Sequence, residues 1–138
     1  MSESTKIEFR HRRVRELDDI TDLVGMIFPG NRNQQHAAAR ILLTLRAAAE
    51  SVPSLRVLEE QHGISRRTLE RTRAKLARVG LIERVSPLSK RANGRPGWRL
   101  SGRMSAALRV LADKIEAWRT DARPERQEKD ERLAGFVR

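Results

Sequence analysis

The chain has no cysteine and no tyrosine, and aromatic residues make up only 4% of its 138 residues. Without cysteine there is no disulfide, no thiolate zinc site and no cysteine nucleophile, so a zinc-finger explanation of its basic charge is excluded. The sequence also lacks a glycine-rich phosphate loop, a nucleophile elbow and a histidine at ligand spacing from carboxylates. We therefore expect no enzyme activity, no metal site and no cofactor.

Long apolar runs are also missing. None approaches the ~18 to 20 residues that a membrane span needs, and the first residues, MSESTKIEFRHRR, lack the apolar centre of a signal peptide. The sequence therefore predicts a protein without a membrane partner, located in the cytoplasm at the nucleoid.

Positive charge is what the chain has in excess, with a net charge of +11. Residues 1–33 carry 6 Lys and Arg against 6 Asp and Glu, residues 34–100 carry 14 against 5, and residues 101–138 carry 9 against 7. The excess is therefore concentrated in the middle segment, which is typical of a domain that faces a polyanion.

Residues 65–79 are the most informative stretch of that middle segment. At 100° per residue, a helix here has one apolar face and an opposite face of arginines around a small alanine. The apolar face contains Leu69, Thr72, Leu76 and Val79, and the opposite face contains Arg67, Arg71, Ala74 and Arg78. This pattern is typical of a helix that lies in a DNA major groove.

The segments on either side of this helix have helical and strand patterns. Residues 33–50 predict a central core helix, and Ser54 is placed to cap a second helix that ends at Gly63. Ile64 is expected beneath the turn, and Ser65 is expected to cap the basic helix. After Gly80, residues 81–86 and 98–101 predict two strands joined by a loop rich in lysine and arginine.

This order of elements, from SLRVLEEQHGISRRTLERTRAKLARVGLIERV to Trp98, resembles the winged helix-turn-helix domains of prokaryotic transcriptional regulators, the group that includes MarR-like and ArsR-like repressors. The resemblance covers roughly residues 33–101. It implies that residues 65–79 are the recognition helix and that the wing lies in residues 87–97.

The expected fold is mainly α with a small β-hairpin, a winged helix-turn-helix domain with flanking N- and C-terminal helices. Its expected parts are a basic arm at 1–15, an amphipathic helix at 16–30, the DNA-binding domain at 31–101, a helix at 102–120 and a charged tail at 121–138.

Two flanking segments have narrow apolar stripes, which predict a dimer surface. The alternative is that both helices fold back on their own domain. The stripes contain Leu17, Ile20, Val24 and Ile27 in the first segment and Met104, Leu108, Leu111, Ile115 and Trp118 in the second.

The contacts with DNA are expected to divide between bases and phosphates. Arg67, Arg71 and Arg78 are predicted to reach bases, with Ala74 allowing close approach, whereas the side chains at the two edges of the helix, Arg66, Thr68, Arg73 and Lys75, are predicted to meet phosphates. Glu70 is expected either to accept a hydrogen bond from a cytosine amine or to orient Arg67 or Arg71, and the wing arginines are expected to enter a minor groove or to meet phosphates. The full predicted set is Ser65, Arg66, Arg67, Thr68, Glu70, Arg71, Arg73, Ala74, Lys75 and Arg78 of the helix, with Lys90, Arg91 and Arg95 of the wing.

The function predicted from the sequence is therefore that of a sequence-specific protein that binds double-stranded DNA, most simply a dimeric transcriptional regulator. One alternative is a DNA-binding protein of plasmid or chromosome replication or partition, because fold does not fix function. Another is a winged helix that binds RNA or a protein. The identity of any small-molecule effector is left open, since no residue requires one.

Overall fold

The computed structural model describes residues 6–86 and 96–137, and within these ranges the chain is mainly helical with one small antiparallel sheet. This confirms the predicted mixture of helices and a hairpin. Two compact units are present, Met1–Met104 and Ser105–Arg138. The elements are α1 (His11–Arg15), α2 (Ile20–Ile27), α3 (Arg32–Ala47), α4 (Val57–His62), α5 (Arg66–Val79), β1 (Ile82–Val85), β2 (Gly97–Leu100), α6 (Arg103–Thr120) and α7 (Pro124–Ala134).

The core of the first unit is organised around α3, which packs against α2, α5 and β2. Its buried residues recur at helical spacing, so one side of the helix faces the interior along its whole length. Ile27 and Phe28, at the end of α2, are almost completely buried with 0% and 1% of their surfaces exposed. The buried residues of α3 are Ala37, Ala38, Ile41, Leu42 and Leu45.

The start of α2 is stabilised by side chains. At its start, the Asp19 carboxylate accepts a hydrogen bond from the backbone N–H of Asp22, and the Asp22 carboxylate accepts from the backbone N–H of Asp19 in return. This capping box satisfies two donors that a helix start leaves unpaired. The capping box therefore places the first residue of α2 at Ile20, whereas the amphipathic helix was expected from residue 16.

The turn between α4 and α5 agrees with the sequence pattern. Gly63 ends α4 in a left-handed conformation, Ile64 is buried, and Ser65 Oγ accepts from the backbone N–H of Thr68 at 3.1 Å. The prediction for Ser54 was wrong, because α4 begins at Val57 and has no side-chain cap. Ser54 Oγ instead accepts from the backbone N–H of Arg56 at 3.2 Å, in the turn before the helix.

The hairpin strands pair antiparallel, with Arg84 opposite Trp98 and Val85 opposite Gly97. On the other edge of β2, Val52 and Trp98 exchange two backbone hydrogen bonds of 2.8 Å. Gly97 is required by this close approach, since a Cβ atom there would lie 2.5 Å from the carbonyl oxygen of Val52. Trp98 is therefore held by backbone pairing on both sides.

The second unit contains the rest of α6 and α7. Among residues 105–137, none is fully buried. Trp118 donates from Nε1 to the Asp130 carboxylate at 3.1 Å, which connects the two helices of the unit. Near the start of α7, hydrogen bonds from Arg123 lower the pKa of Asp121 to about 2. The described part of this unit therefore has polar contacts but no apolar core of its own.

Candidate nucleic-acid interface

The outer face of α5 is a row of arginines. Arg66, Arg67, Arg71 and Arg78 are exposed, whereas Leu69, Thr72 and Leu76 on the opposite face are buried with 2% or less of their surfaces accessible. The buried stripe attaches the helix to α3 and fixes which side faces outward. The division of the helix into an apolar and a basic face is therefore as predicted.

Four further residues of the predicted set lie around this row. Ser65 is exposed at the start of the helix, and its Oγ donates to Thr68 Oγ1 at 2.9 Å. Thr68 is partly buried, and its hydroxyl is engaged in the helix cap. Ala74 is partly exposed between the arginines, and Glu70 is exposed beside them. A small side chain at Ala74 leaves the middle of the basic face open to a close-fitting surface.

Lys75 does not belong to this face. Only 7% of its surface is exposed, and its ammonium donates to the backbone carbonyls of Lys6, at 2.7 Å, and Ile27. The ammonium also lies 4.8 Å from the ring centroid of Phe28. Burial, with the nearby Arg78 guanidinium, lowers the pKa of Lys75. The prediction that Lys75 meets a phosphate was wrong, because the side chain turns inward and stabilises the end of α2.

The sequence contained a signal for this inward orientation. Lys75 immediately precedes Leu76 and is three residues after Thr72, so it lies at the edge of the apolar stripe. A long lysine at such an edge has the reach to place its ammonium on a helix end, where unpaired carbonyls need donors. Gln35 does the same for the neighbouring carbonyl, because its Nε2 donates to Phe28 O at 2.8 Å.

Arg73 is half-buried, with its Cζ atom 5.0 Å from the ring centroid of Trp98. Arg84 of β1 lies over the same ring at 5.9 Å. Arg73 was predicted as a phosphate contact, whereas Arg84 was not selected at all. Arg84 reaches Trp98 because the two residues are directly opposite in the hairpin, and that register depends on a long loop whose conformation sequence spacing does not give.

The predicted wing residues Lys90, Arg91 and Arg95 lie outside the described residues. The base of the hairpin is described, and there the Glu83 carboxylate accepts from Arg99 Nε at 2.6 Å and lies 3.4 Å from Arg103 Nε. The hydrogen bond from Arg99 is the main reason that the pKa of Glu83 is lowered. Glu83 thus joins both strands to the start of α6 and balances part of the positive charge of that region.

The predicted dimer residues divide into two groups. Val24, Ile27 and Met104 are buried in the core of the first unit, with 4%, 0% and 9% of their surfaces exposed. For these three the prediction was wrong, because a side chain enclosed by its own core is not available to a second copy. Leu17 and Ile20 are partly buried against that core. Leu108, Leu111, Ile115 and Trp118 are exposed along α6.

The histidines of the described residues do not form a metal site. The rings of His36 and His62 form an edge-to-face pair with centroids 6.4 Å apart, and burial, followed by Arg40 and His36, lowers the pKa of His62. Among the described residues there is no group of three histidine or carboxylate side chains that could hold a metal ion. Nor is any helix there long and apolar enough to cross a membrane.

We compared the chain with protein-family models, with curated proteins and with solved structures, and none of the three comparisons found a match.

Proposed function

We propose that the chain is a winged helix-turn-helix protein that binds duplex DNA and acts as a dimeric transcriptional regulator. The observation that carries the proposal is the outward arginine row of α5, attached to the domain by a buried apolar stripe. Arginine pairs bidentately with guanine N7 and O6 in the major groove, and lysine and arginine neutralise phosphates. A helix that presents three guanidinium groups on one face, with Arg66 exposed at the edge of that face, is suited to both contacts.

The order of elements supports the same proposal. Helix α3 is followed by the bridge at Val52, then by α4, the Gly63 turn, α5 and the two strands of the hairpin. A helix-turn-helix whose second helix has the exposed basic face, followed directly by a hairpin, is the arrangement expected of a winged helix. Under this proposal α5 enters the major groove, and residues 87–97 contact the backbone or the minor groove.

The proposed dimer rests on α6. Its seam residues Leu108, Leu111, Ile115 and Trp118 recur at spacings of three and four, and each has at least 40% of its surface exposed. A run of this kind is the repeat by which helices pair, whereas an isolated helix of this length is only marginally stable in water. Pairing of α6 with α6 of a second copy would cover the seam and relate two basic helices by a two-fold axis.

Binding to duplex DNA is tested by titrating the full chain against a labelled duplex at several salt concentrations. If a dimer neutralises on the order of 6 to 10 phosphates, affinity should fall by about three to five decades between 50 and 200 mM salt. An unlabelled structured RNA as competitor separates the alternatives. A flat salt response, or displacement by RNA at lower concentration than by duplex DNA, would contradict the proposal.

Base readout is tested at Arg71 after bound fragments have been selected from a random DNA pool. Arg71→Ala should weaken binding to the selected sequence by about 1 to 3 kcal/mol and affect random duplex less. Arg46→Ala is the matched control, since Arg46 is an exposed arginine at the end of α3. Equal losses on selected and random DNA would remove Arg71 from base readout.

The dimer is tested by sedimentation equilibrium of the full chain. Ile115→Glu places a charge in the seam and should convert the dimer to a monomer. Val110→Glu is the control, because Val110 is equally exposed on α6 but lies off the seam. A wild-type chain that sediments as a monomer at micromolar concentration would contradict this part of the proposal.

A further inference from the structure

A concave surface beside the first turn of α5 contains four arginines. It encloses about 310 Å³ and is lined by residues that include Arg56, Arg66, Arg73, Arg84 and Trp98. Two acidic residues, Glu59 and Glu70, also line it, so the lining keeps an excess of positive charge. We call this surface the basic groove.

The arginines of the basic groove keep donors for an anion. Arg56 and Arg66 lie 4.0 and 3.8 Å from the Glu59 carboxylate, near the limit of an ion pair, and 74% and 60% of their side-chain surfaces are exposed. A guanidinium has five N–H donors in its plane, and distant contacts of this kind use few of them. Glu59 thus positions two cations that still face solvent.

Arg73 and Arg84 contribute in a different way. Both lie over the Trp98 ring, at 5.0 and 5.9 Å from its centroid. A cation–π contact leaves the positive charge of a guanidinium in place, and its N–H groups can still donate to an anion. The backbone of Trp98 is held by pairing with β1 and with Val52, which fixes the point from which the ring extends beside both cations.

We infer that the basic groove binds one phosphodiester of the DNA backbone, next to the site where α5 meets the bases. The inference rests on the proposed function and adds Arg56 and Arg84 to the residues that contact DNA. The basic groove is continuous with the exposed side of α5, because Arg66 lines the groove and is also exposed at the edge of the basic face. This continuity favours a DNA phosphate over an acidic peptide as the ligand. A duplex that reaches Arg67 and Arg71 therefore brings its backbone to the same edge of the helix.

The first measurement is the salt dependence of binding to a random-sequence duplex. Loss of one phosphate contact lowers the slope of log K against log salt by about 0.9. Because a dimer contains two grooves, Arg84→Gln and Arg56→Gln should each reduce the slope by about 1.8, with a loss of affinity on the order of 60-fold near 0.1 M salt. Arg46→Gln, an exposed arginine outside the groove, should leave the slope unchanged. Unfolding curves of the variants check that the fold is retained.

The second measurement observes the groove directly. The chain has two tryptophans, so Trp118→Phe leaves Trp98 as the only one. Because Trp118 belongs to the proposed seam, sedimentation and duplex affinity of Trp118→Phe are first compared with those of the wild type. Duplex DNA should change the fluorescence of Trp98 with the same midpoint as binding, and Arg84→Gln should abolish the change. A duplex containing a single neutral methylphosphonate, moved along each strand, should lose affinity at every contacted phosphate. Arg84→Gln should remove that loss at one position per half-site and leave it at the others.

The outcomes separate this inference from the proposed function. If the chain fails to bind duplex DNA at any salt concentration, the proposed function fails and the inference fails with it. If the duplex binds while Arg84→Gln and Arg56→Gln keep the full salt slope, only the inference fails. If millimolar inorganic phosphate changes Trp98 fluorescence but bound duplex does not, the groove takes a free anion and its assignment to the DNA backbone is overturned.

Discussion

The apolar stripe of α2 and the apolar seam of α6 have nearly the same sequence pattern and opposite environments. Both repeat apolar residues at spacings of three and four. Yet Val24 and Ile27 of α2 have 4% and 0% of their surfaces exposed, whereas Leu111 and Ile115 of α6 have 52% each. Periodicity therefore identifies which face of a helix is apolar but not what covers that face.

The physical reason for the difference lies in the chain that follows each helix. Pro29 and Gly30 follow α2, and α3 begins at Arg32, so a long helix with an apolar face packs at once against the stripe. In the unit that holds most of α6, the next helix is α7, which is highly charged and meets α6 through Trp118 and Asp130. The stripe of α2 is thus covered by the helix that follows it, whereas among the described residues of the second unit no side chain is buried against the seam of α6.

The largest expected effect is at Ile27. Ile27→Ala removes a fully buried side chain and leaves a cavity, so the free energy of unfolding should fall by about 2 to 5 kcal/mol. Urea unfolding followed by Trp98 fluorescence in the Trp118→Phe background measures it for the first unit. A loss below about 0.5 kcal/mol would break the comparison by showing that the α2 stripe is not enclosed.

The next effect is at Lys75, which links α5 to the end of α2. Lys75→Met keeps much of the side-chain volume but removes the donor to Ile27 O and Lys6 O. A buried carbonyl left without a donor costs about 1 to 3 kcal/mol, so we expect the unfolding free energy to fall within that range. Lys114→Met, at an exposed lysine of α6, is the control and should have little effect. Equal results for the two variants would mean that α2 needs no donor from α5.

A smaller and pH-dependent effect is expected at Glu83, where the hairpin meets the start of α6. Because its pKa in the folded chain is below the ordinary value of 4.5, ionised Glu83 stabilises the fold above pH 4.5, and this stabilisation is lost as the pH falls through the lowered pKa. Glu83→Gln should therefore destabilise the first unit by about 1 kcal/mol at pH 7. The difference from the wild type should shrink in unfolding curves measured below pH 4.5. A constant difference down to pH 2 would assign the effect to packing.

The smallest effect is expected at Ile115. Ile115→Ala changes an exposed side chain, so unfolding of the first unit at submicromolar concentration should change by less than about 0.5 kcal/mol. At high concentration the same variant should weaken self-association in sedimentation. A loss of several kcal/mol at low concentration would contradict the comparison, because it would mean that the seam is covered without a second copy.

Much of the first unit could be predicted from sequence because its signals are local. Gly63, Ile64 and Ser65 specify the turn before α5, and the period of Leu69, Thr72 and Leu76 specifies its buried face. Such features depend on residues a few positions apart, where propensity, capping and periodicity act.

The features that were missed depend on residues far apart in sequence. Lys75 donates to carbonyls at residues 6 and 27, and Arg84 meets Trp98 only through the register of the hairpin. From charge alone, Lys75 is assigned to the same surface as the arginines of α5. Its ammonium instead reaches the end of α2, and the sequence does not show that this helix end lies within its reach. The basic groove could not be found from sequence for the same reason, since α4, α5 and both strands contribute to it.

The hydrogen bond from Lys75 to Lys6 O has a consequence for the N-terminal segment. Glu8 also joins the core through its backbone, donating its N–H to Met26 O at 2.9 Å. Both contacts use main-chain atoms, which every residue type supplies, apart from the N–H that proline lacks. The segment is thus held to the first unit by its backbone as well as by Ile7, whose side chain packs against the core. A fusion partner added before residue 1 leaves both bonds possible, whereas a deletion that extends through residue 8 removes an acceptor from the buried ammonium of the helix proposed to read DNA.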